Sequence, residues 1–177
     1  MTATNVDYWP TRKSVFPFIR RDIRANRRNP RIQIALFLFR VTQFLMADRD
    51  SPKKRAYPMI VAYRIYTEVL LSIELRPKTV CGPGLSIHHG FGLVVNDGCV
   101  IGADVVLRQS TTLGHAYPGG PCPVLEDGAE LGANVVVIGG LTIGAGSTVG
   151  AGSVVTKSVP PAHIAYGNPA AVKPRKS

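Results

Sequence analysis

Six residues separate successive members of a run of aliphatic side chains: Leu125, Leu131, Val137, Ile143, Val149 and Val155. Val95, Ile101, Leu107 and Leu113 keep the same register further upstream. Gly follows the anchor at 132, 144 and 150, and Glu126 takes that place after Leu125. Small or β-branched residues stand four positions after most anchors: Ala129, Val135, Leu141, Ser147, Ser153 and Val159. An α-helix cannot use this period, because anchors six apart would rotate around its surface. A two-faced strand repeats every second residue. A period of six with Gly beside the anchor suits a triangular coil with three short flat sides. One anchor per side points to the axis, and the small residues fit the corners. Three repeats make a turn of about eighteen residues, and stacked turns bury a continuous aliphatic column. The spacing predicts a mainly β fold, a parallel β-helix over residues 73–160.

The register breaks twice. Residues 114–123, GHAYPGGPCP, lack anchors and read as a loop thrown out of the coil. Residues 86–92, SIHHGFG, also depart from the pattern, and breaks in a regular solenoid are where chemistry tends to sit. Upstream, residues 1–72 form a separate segment with helical features. Asn29-Pro30 marks a helix start, and residues 32–46 continue it. Residues 57–71 give another helix, and residues 15–27 a weaker one. Together they are expected to cap one open end of the coil. Residues 161–177 leave the coil as a tail.

Charge is placed unevenly. Residues 1–60 hold 13 Lys/Arg against 4 Asp, whereas residues 61–177 hold 8 Lys/Arg against 7 Asp/Glu. The overall +10 therefore belongs to the N-terminal segment, and it suits nucleic acid, anionic lipid headgroups or phosphate-bearing small molecules. The run RRDIRANRRNPR over residues 20–31 lacks the aromatic interleaving of single-strand binders and matches no groove-reading motif, which argues against nucleic acid. The odd count of Cys81, Cys99 and Cys122 suits reduced thiols. Residues 1–10 show no secretory leader, and residues 32–46 are too short and too polar to span a bilayer. These features point to a cytoplasmic protein.

Few residues could carry chemistry. His88-His89 lies before a Gly-Phe-Gly turn, at a corner of the coil, and an imidazole can take a proton from an alcohol. Glu74, fifteen residues upstream, lies nearly one turn below His89. It is either the acid that orients the ring or a surface carboxylate at the helix-to-coil junction. Arg108 stands on a coil face where a small residue is expected, either as an anion ligand or as a surface cation. His115 sits in the ejected loop, against substrate or in solvent. The sequence has no metal-ligand cluster, phosphate-binding loop, nucleotide fingerprint or serine-nucleophile elbow.

Residues 129–161, AELGANVVVIGGLTIGAGSTVGAGSVVTKSVPP, together with GNPA at 167–170, resemble the hexapeptide-repeat acyltransferases. Residues 73–95 and QSTTLG at 109–114 are similar to the serine acetyltransferase branch of that family. A closer likeness, through DIRAN (22–26), YRIYTE (63–68), IHHG (87–90) and Cys122-Pro123, is to the colanic-acid and capsule polysaccharide acetyltransferases. The resemblance implies a left-handed coil, assembly as a homotrimer, acetyl-CoA as donor and no metal. It implies direct transfer to a sugar hydroxyl in exopolysaccharide biosynthesis, with serine O-acetylation as the alternative. A catalytically silent scaffold is a further one. The family segment Gly-x-x-x-Asp-His-x-x-Gly matches Gly84 to Gly92, which puts the base on His89 and replaces the aspartate by His88; Glu74 takes the place of the dyad acid. His88, Arg108 and His115 are then candidates for the acceptor. Gly132, Ala133, Gly150 and Ala151 would meet the pantetheine arm, and Lys173 or Arg175 the nucleotide phosphates. The Arg-His pair with which serine acetyltransferases help hold serine is absent, since Pro121-Cys122 stand there. A lipid-linked acceptor would give the basic segment a use, as a peripheral contact with the anionic inner face of the cytoplasmic membrane.

Overall fold

A computed structural model describes residues 8–175, so expectations that fall on residues 1–7 and 176–177 lie outside the described residues. Helix α1 (Val15–Ala25) and helix α2 (Pro30–Met46) come first. Asn29 caps α2, its side-chain oxygen accepting the Ile32 N–H at 3.4 Å, and Pro30 takes the first position, where a missing N–H costs nothing. A short 3₁₀ turn (Lys54–Ala56) leads into α3 (Tyr57–Arg64), which widens into one π-helical stretch (Ile65–Leu70).

Fifteen short strands follow: β1 (Ile73–Leu75), β2 (Val80–Cys81), β3 (Ser86–His88), β4 (Leu93–Val95), β5 (Val100–Ile101), β6 (Val106–Arg108), β7 (Thr112–Gly114), β8 (Val124–Leu125), β9 (Glu130–Leu131), β10 (Val136–Ile138), β11 (Thr142–Ile143), β12 (Thr148–Val149), β13 (Val154–Val155), β14 (His163–Gly167) and β15 (Ala170–Pro174). Every third strand pairs in parallel. The first side is β1-β4-β7-β10-β13, the second β2-β5-β8-β11, and the third β3-β6-β9-β12-β14, on which β15 folds back antiparallel. The result is a left-handed β-helix of about five turns with helices at its N-terminal end.

The six-residue anchors form the buried columns. Leu75, Val95, Leu113, Val137 and Val155 stand in register along the first side, and Cys81, Ile101, Leu125 and Ile143 along the second. The residue two before an anchor also points inward, because a strand alternates with period two. Ala129, Val135, Ser147 and Ser153 are all fully buried and stand just before the strands that carry the anchors, on the inner side of the corners. Ser147 and Ser153 donate their hydroxyls to the Gly144 and Gly150 carbonyls, both at 2.6 Å, which lets a polar group sit in the column. The corners hold the close backbone approaches. A Cβ on Gly132 would stand 2.5 Å from the Ala151 nitrogen of the next turn.

A coil end exposes a ring of unpaired backbone groups, and α1 and α2 satisfy them. Arg40, fully buried in α2, donates to the Cys81 carbonyl (2.7 Å), the Gly82 carbonyl (2.6 Å) and the Asp22 carboxylate (2.8 Å). Asp22 accepts the Gly84 and Leu85 N–H groups at 2.7 and 3.1 Å. Burial pushes its carboxyl up, against the Arg40 charge and these hydrogen bonds, which favour the ionised form. Asn26 spans the Leu85 carbonyl and the Ile87 N–H, at 2.8 and 3.0 Å. Gln43 donates to the Pro77 and Thr79 carbonyls, and the buried Tyr63 hydroxyl to the Leu75 carbonyl at 2.5 Å.

Candidate active site

The insertion at residues 89–92 lengthens the first turn. Leu75 to Val95 takes 20 residues, against 18 from Val95 to Leu113. The extra residues bulge at the edge between the third and first sides and carry His89 into solvent. His89 has φ +66°, in the left-handed region. The repeated corner of the coil is a different row, Gly92 (φ +69°), Ser110 (φ +57°), Asn134 (φ +58°) and Gly152 (φ +71°), so the positive φ of His89 belongs to the inserted bulge.

The same edge gathers most of the residues singled out from sequence. His88 is in register with Arg108 on the next turn. Gly132 and Gly150 continue that row one residue beyond the registered pairs of β9, β12 and β14, and Tyr166 closes it, its Cβ 3.1 Å from where a Cβ on Gly150 would be. Lys173, on β15, lies over the Tyr166 ring at 5.2 Å. Ala133 and Ala151 sit beside their glycines at the corner. From His88 to Tyr166 is four strand spacings, roughly 19 Å. His88, His89, Arg108, Gly132, Ala133, Gly150, Ala151 and Lys173 thus lie along one edge, with an imidazole at its lower end. Arg175, whose N–H reaches the Ala162 carbonyl at 3.3 Å, lies just past β15. Gly132 has a packing reason of its own, the Ala151 backbone, which sequence reasoning had assigned to a ligand.

Glu74 and His115 sit elsewhere. Glu74 faces outward from the first side, and its carboxylate pairs with Arg76 at 2.9 Å. Its strand neighbour Ile73 lines a cleft with His89. His115 lies at the other edge of the first side, where the loop over residues 115–123 leaves β7, and its Nδ1 is 3.4 Å from the Asn96 amide. Within one chain, His115 and His89 occupy opposite edges of the first side.

Around the two histidines the environment is basic. His88 Nε2 is 3.2 Å from the Ser86 hydroxyl. Burial, then the charges of Arg108 and His89, hold the His88 ring below its ordinary pKa, so it is neutral at pH 7. A cleft of about 480 Å³ is bounded by Ser86, His88 and His89 on the coil and by Arg24, Arg27 and Arg28 at the α1–α2 connection. A second cleft, of about 430 Å³, shares His89 and Arg28 and adds Arg31, Ile73 and Phe91. Sequence reasoning saw these arginines only as net charge. Arg24 lies on α1 opposite the inward-facing Asp22, Arg27 and Arg28 lie in the connection and Arg31 in the first turn of α2, so helical spacing alone does not bring the four together. Among the described residues no group of three or more His, Cys, Asp or Glu could hold a metal ion, and no helix is long and apolar enough to cross a membrane.

Residues 122–157 match the family model of the bacterial transferase hexapeptide (six repeats). The chain is 37% identical over 156 residues to the "Putative colanic acid biosynthesis acetyltransferase WcaB" of Escherichia coli strain K12, covering 86% of this chain and 96% of that protein. It is 36% identical over 106 residues to the serine acetyltransferase of the same strain, covering 59% of this chain and 39% of that one. Among solved structures it superposes on soybean serine acetyltransferase in complex with serine with a TM-score of 0.78 at 30% identity, over 91% of this chain and 70% of that chain. With the period of six, the three-sided coil and the imidazole at its edge, these matches place the chain among the bacterial hexapeptide-repeat acyltransferases, as an acyl-CoA-dependent acetyltransferase.

Proposed function

We propose that this enzyme moves an acetyl group from acetyl-CoA to a sugar hydroxyl in exopolysaccharide or capsule biosynthesis, with His89 as general base. The observation that carries the reading is the single edge on which His88, His89, Arg108, Gly132, Gly150 and Lys173 align. The pantetheine arm lies along it, past Gly132-Ala133 and Gly150-Ala151, with its phosphates toward Lys173 and Arg175. His89 takes the proton as the acceptor oxygen attacks the thioester carbonyl. The C–S bond breaks, and the imidazolium returns the proton to the leaving thiolate, giving acetyl ester and free coenzyme A. Such base catalysis contributes about 10²–10⁴-fold. Glu74 orients the ring by exchanging its Arg76 partner for His89 once acceptor is bound. No metal takes part.

The site is shared within a homotrimer. The first side carries His89 at one edge and the His115 loop at the other, and it presents the exposed apolar residues Val94 and Ile138. Packing that side around a threefold axis brings one protomer's loop toward its neighbour's His89. The enzyme works in the cytoplasm at the membrane's inner face, with α1 against anionic lipid through Phe16, 75% exposed, and the neighbouring Arg20. Each arginine near that surface contributes about 1 kcal/mol.

Coenzyme A release, measured with a panel of saccharide acceptors and with serine, tests the assignment. His89→Ala should abolish release while the circular dichroism spectrum is kept, and retained turnover would refute it. Serine acetylation is the second reading, favoured by the serine-bound soybean structure among the fold matches. Turnover of serine with none of saccharides would establish it in place of the first.

A further inference from the structure

The arginines at the α1–α2 connection have no part in holding the fold. Among the described residues, the ion pairs join Arg21 to Asp104, Arg40 to Asp22, Arg64 to Glu68 and Arg76 to Glu74, so Arg24, Arg27, Arg28 and Arg31 take none. All four are exposed. They line the two clefts that meet at His89, and no carboxylate lines either cleft. The first residues of α2, Asn29 to Ile32, line the second cleft too, and the positive end of a helix adds to the same field. Four guanidinium groups without a carboxylate partner make the clefts electropositive, a field that salt screens and that favours a negative ligand. Arg binds phosphate and carboxylate through two parallel N–H donors, so the cluster has the chemistry for either.

Position decides which substrate the cluster serves. The edge proposed for the donor runs from His89 through Gly132 and Gly150 toward Lys173, away from the N-terminal helices. The arginines lie on the other side of His89, beyond the first turn. A general base must reach its hydroxyl within about 3 Å, so the rest of the acceptor has to occupy the clefts that open at His89.

We propose that the acceptor is anionic, and that Arg24, Arg27, Arg28 and Arg31 hold its phosphate or carboxylate while its hydroxyl lies at His89. The proposal rests on His89 as the base. It deepens the sugar assignment by naming a charged group on the acceptor, which a neutral saccharide lacks and the carrier phosphate of a lipid-linked unit or a uronate ring would supply.

The test uses the full-length enzyme with its coenzyme A site saturated. Calorimetry with inorganic pyrophosphate and with methyl glucuronide should show binding that weakens at least about tenfold in Arg27→Gln/Arg28→Gln, as expected for loss of charge-assisted contacts. That variant should keep the wild-type melting temperature, because both side chains are exposed. In the coenzyme A release assay, glucose 1-phosphate or methyl glucuronide should be used with a lower KM than methyl glucoside, and the advantage should vanish in the variant. Whichever anion shows the greater advantage identifies the source of the charge. Pyrophosphate that binds the free enzyme but not the enzyme saturated with coenzyme A would overturn the proposal, since the cluster would then belong to the donor. Equal KM values for neutral and charged acceptors would also overturn it. Neither result touches the base, whose failure would show separately as turnover by His89→Ala.

Discussion

Replacing Asp22 by Leu and Arg40 by Met together should destabilise this protein strongly, although such a swap is harmless in many proteins. A buried ion pair exchanged for apolar residues of similar volume is often neutral or even stabilising, because two desolvation penalties disappear with it. Here the pair also serves four backbone groups at the coil end. Arg40 donates to the Cys81 and Gly82 carbonyls, and Asp22 accepts from the Gly84 and Leu85 N–H groups. Each buried polar group left unmade costs about 1–3 kcal/mol, so four of them cost at least about 4 kcal/mol. The lower bound is the appropriate one, since a loosened helix pair lets water reach the coil end. For a chain of this size each kcal/mol lowers the melting temperature by about 2–4 °C, so the double variant should melt at least about 8 °C below wild type. Arg40→Met alone, which strands a buried carboxylate, should cost about 3–5 kcal/mol. Urea denaturation followed by circular dichroism at fixed protein concentration measures all three proteins under one mass-action condition. A double variant within about 1 kcal/mol of wild type would refute the view that this pair is the cap of the coil.

The histidine pair and the glycine edge give two further tests. His88, buried in part and beside Arg108, should titrate below its ordinary value when its ring proton is followed by NMR, and Arg108→Gln should raise the midpoint. Because the folded state then binds fewer protons than the unfolded chain, this ring's contribution to stability should decline as pH falls below about 6.5, and a midpoint above that value would contradict the burial and charge argument. Gly132→Ala would push a methyl against the Ala151 nitrogen, 2.5 Å away, so the melting temperature should fall together with coenzyme A affinity. An affinity loss with unchanged melting would assign that glycine to the ligand alone.

The coil was legible because its cause is local and repeated. Each anchor from Val95 to Val155 obeys one period, and parallel pairing of every third strand follows from it. The first turn was harder to see. Leu75, Cys81 and Ile87 keep the same spacing, but the insertion at 89–92 shifts the next anchor to Val95, eight residues on, and hides the continuity. His88, His89 and Arg108 could be placed together, since one turn relates them. The Glu74–Arg76 pair could not, because both groups lie on the first side and choose each other by side-chain reach, which spacing does not encode. Asp22 and Asn26 were visible only as a shared motif, and their work on the Gly84, Leu85 and Ile87 backbone depends on a docking angle between helix and coil.

That docking has a consequence for how acceptor choice can change. One face of α1 is committed to the coil through Asp22 and Asn26, whose loss would open the end of the solenoid. The opposite face of the same helix, with the connection to α2, carries Arg24, Arg27 and Arg28 into the cleft at His89. The buried column and the Gly132–Gly150 stretch of the proposed donor edge are built from the repeats, and Lys173 at its far end from β15. Substitutions at 24, 27, 28 and 31 should therefore change the wall proposed to face the acceptor without disturbing the cap, the column or the proposed donor edge. A set of enzymes sharing Asp22, Asn26, Arg40 and His89 but differing at these four positions should share a fold and a donor and differ in the charge of the acceptor. Exchanging the four side chains between two such enzymes should transfer that preference, and a chimera that kept its parent's acceptor would show that selection is made elsewhere.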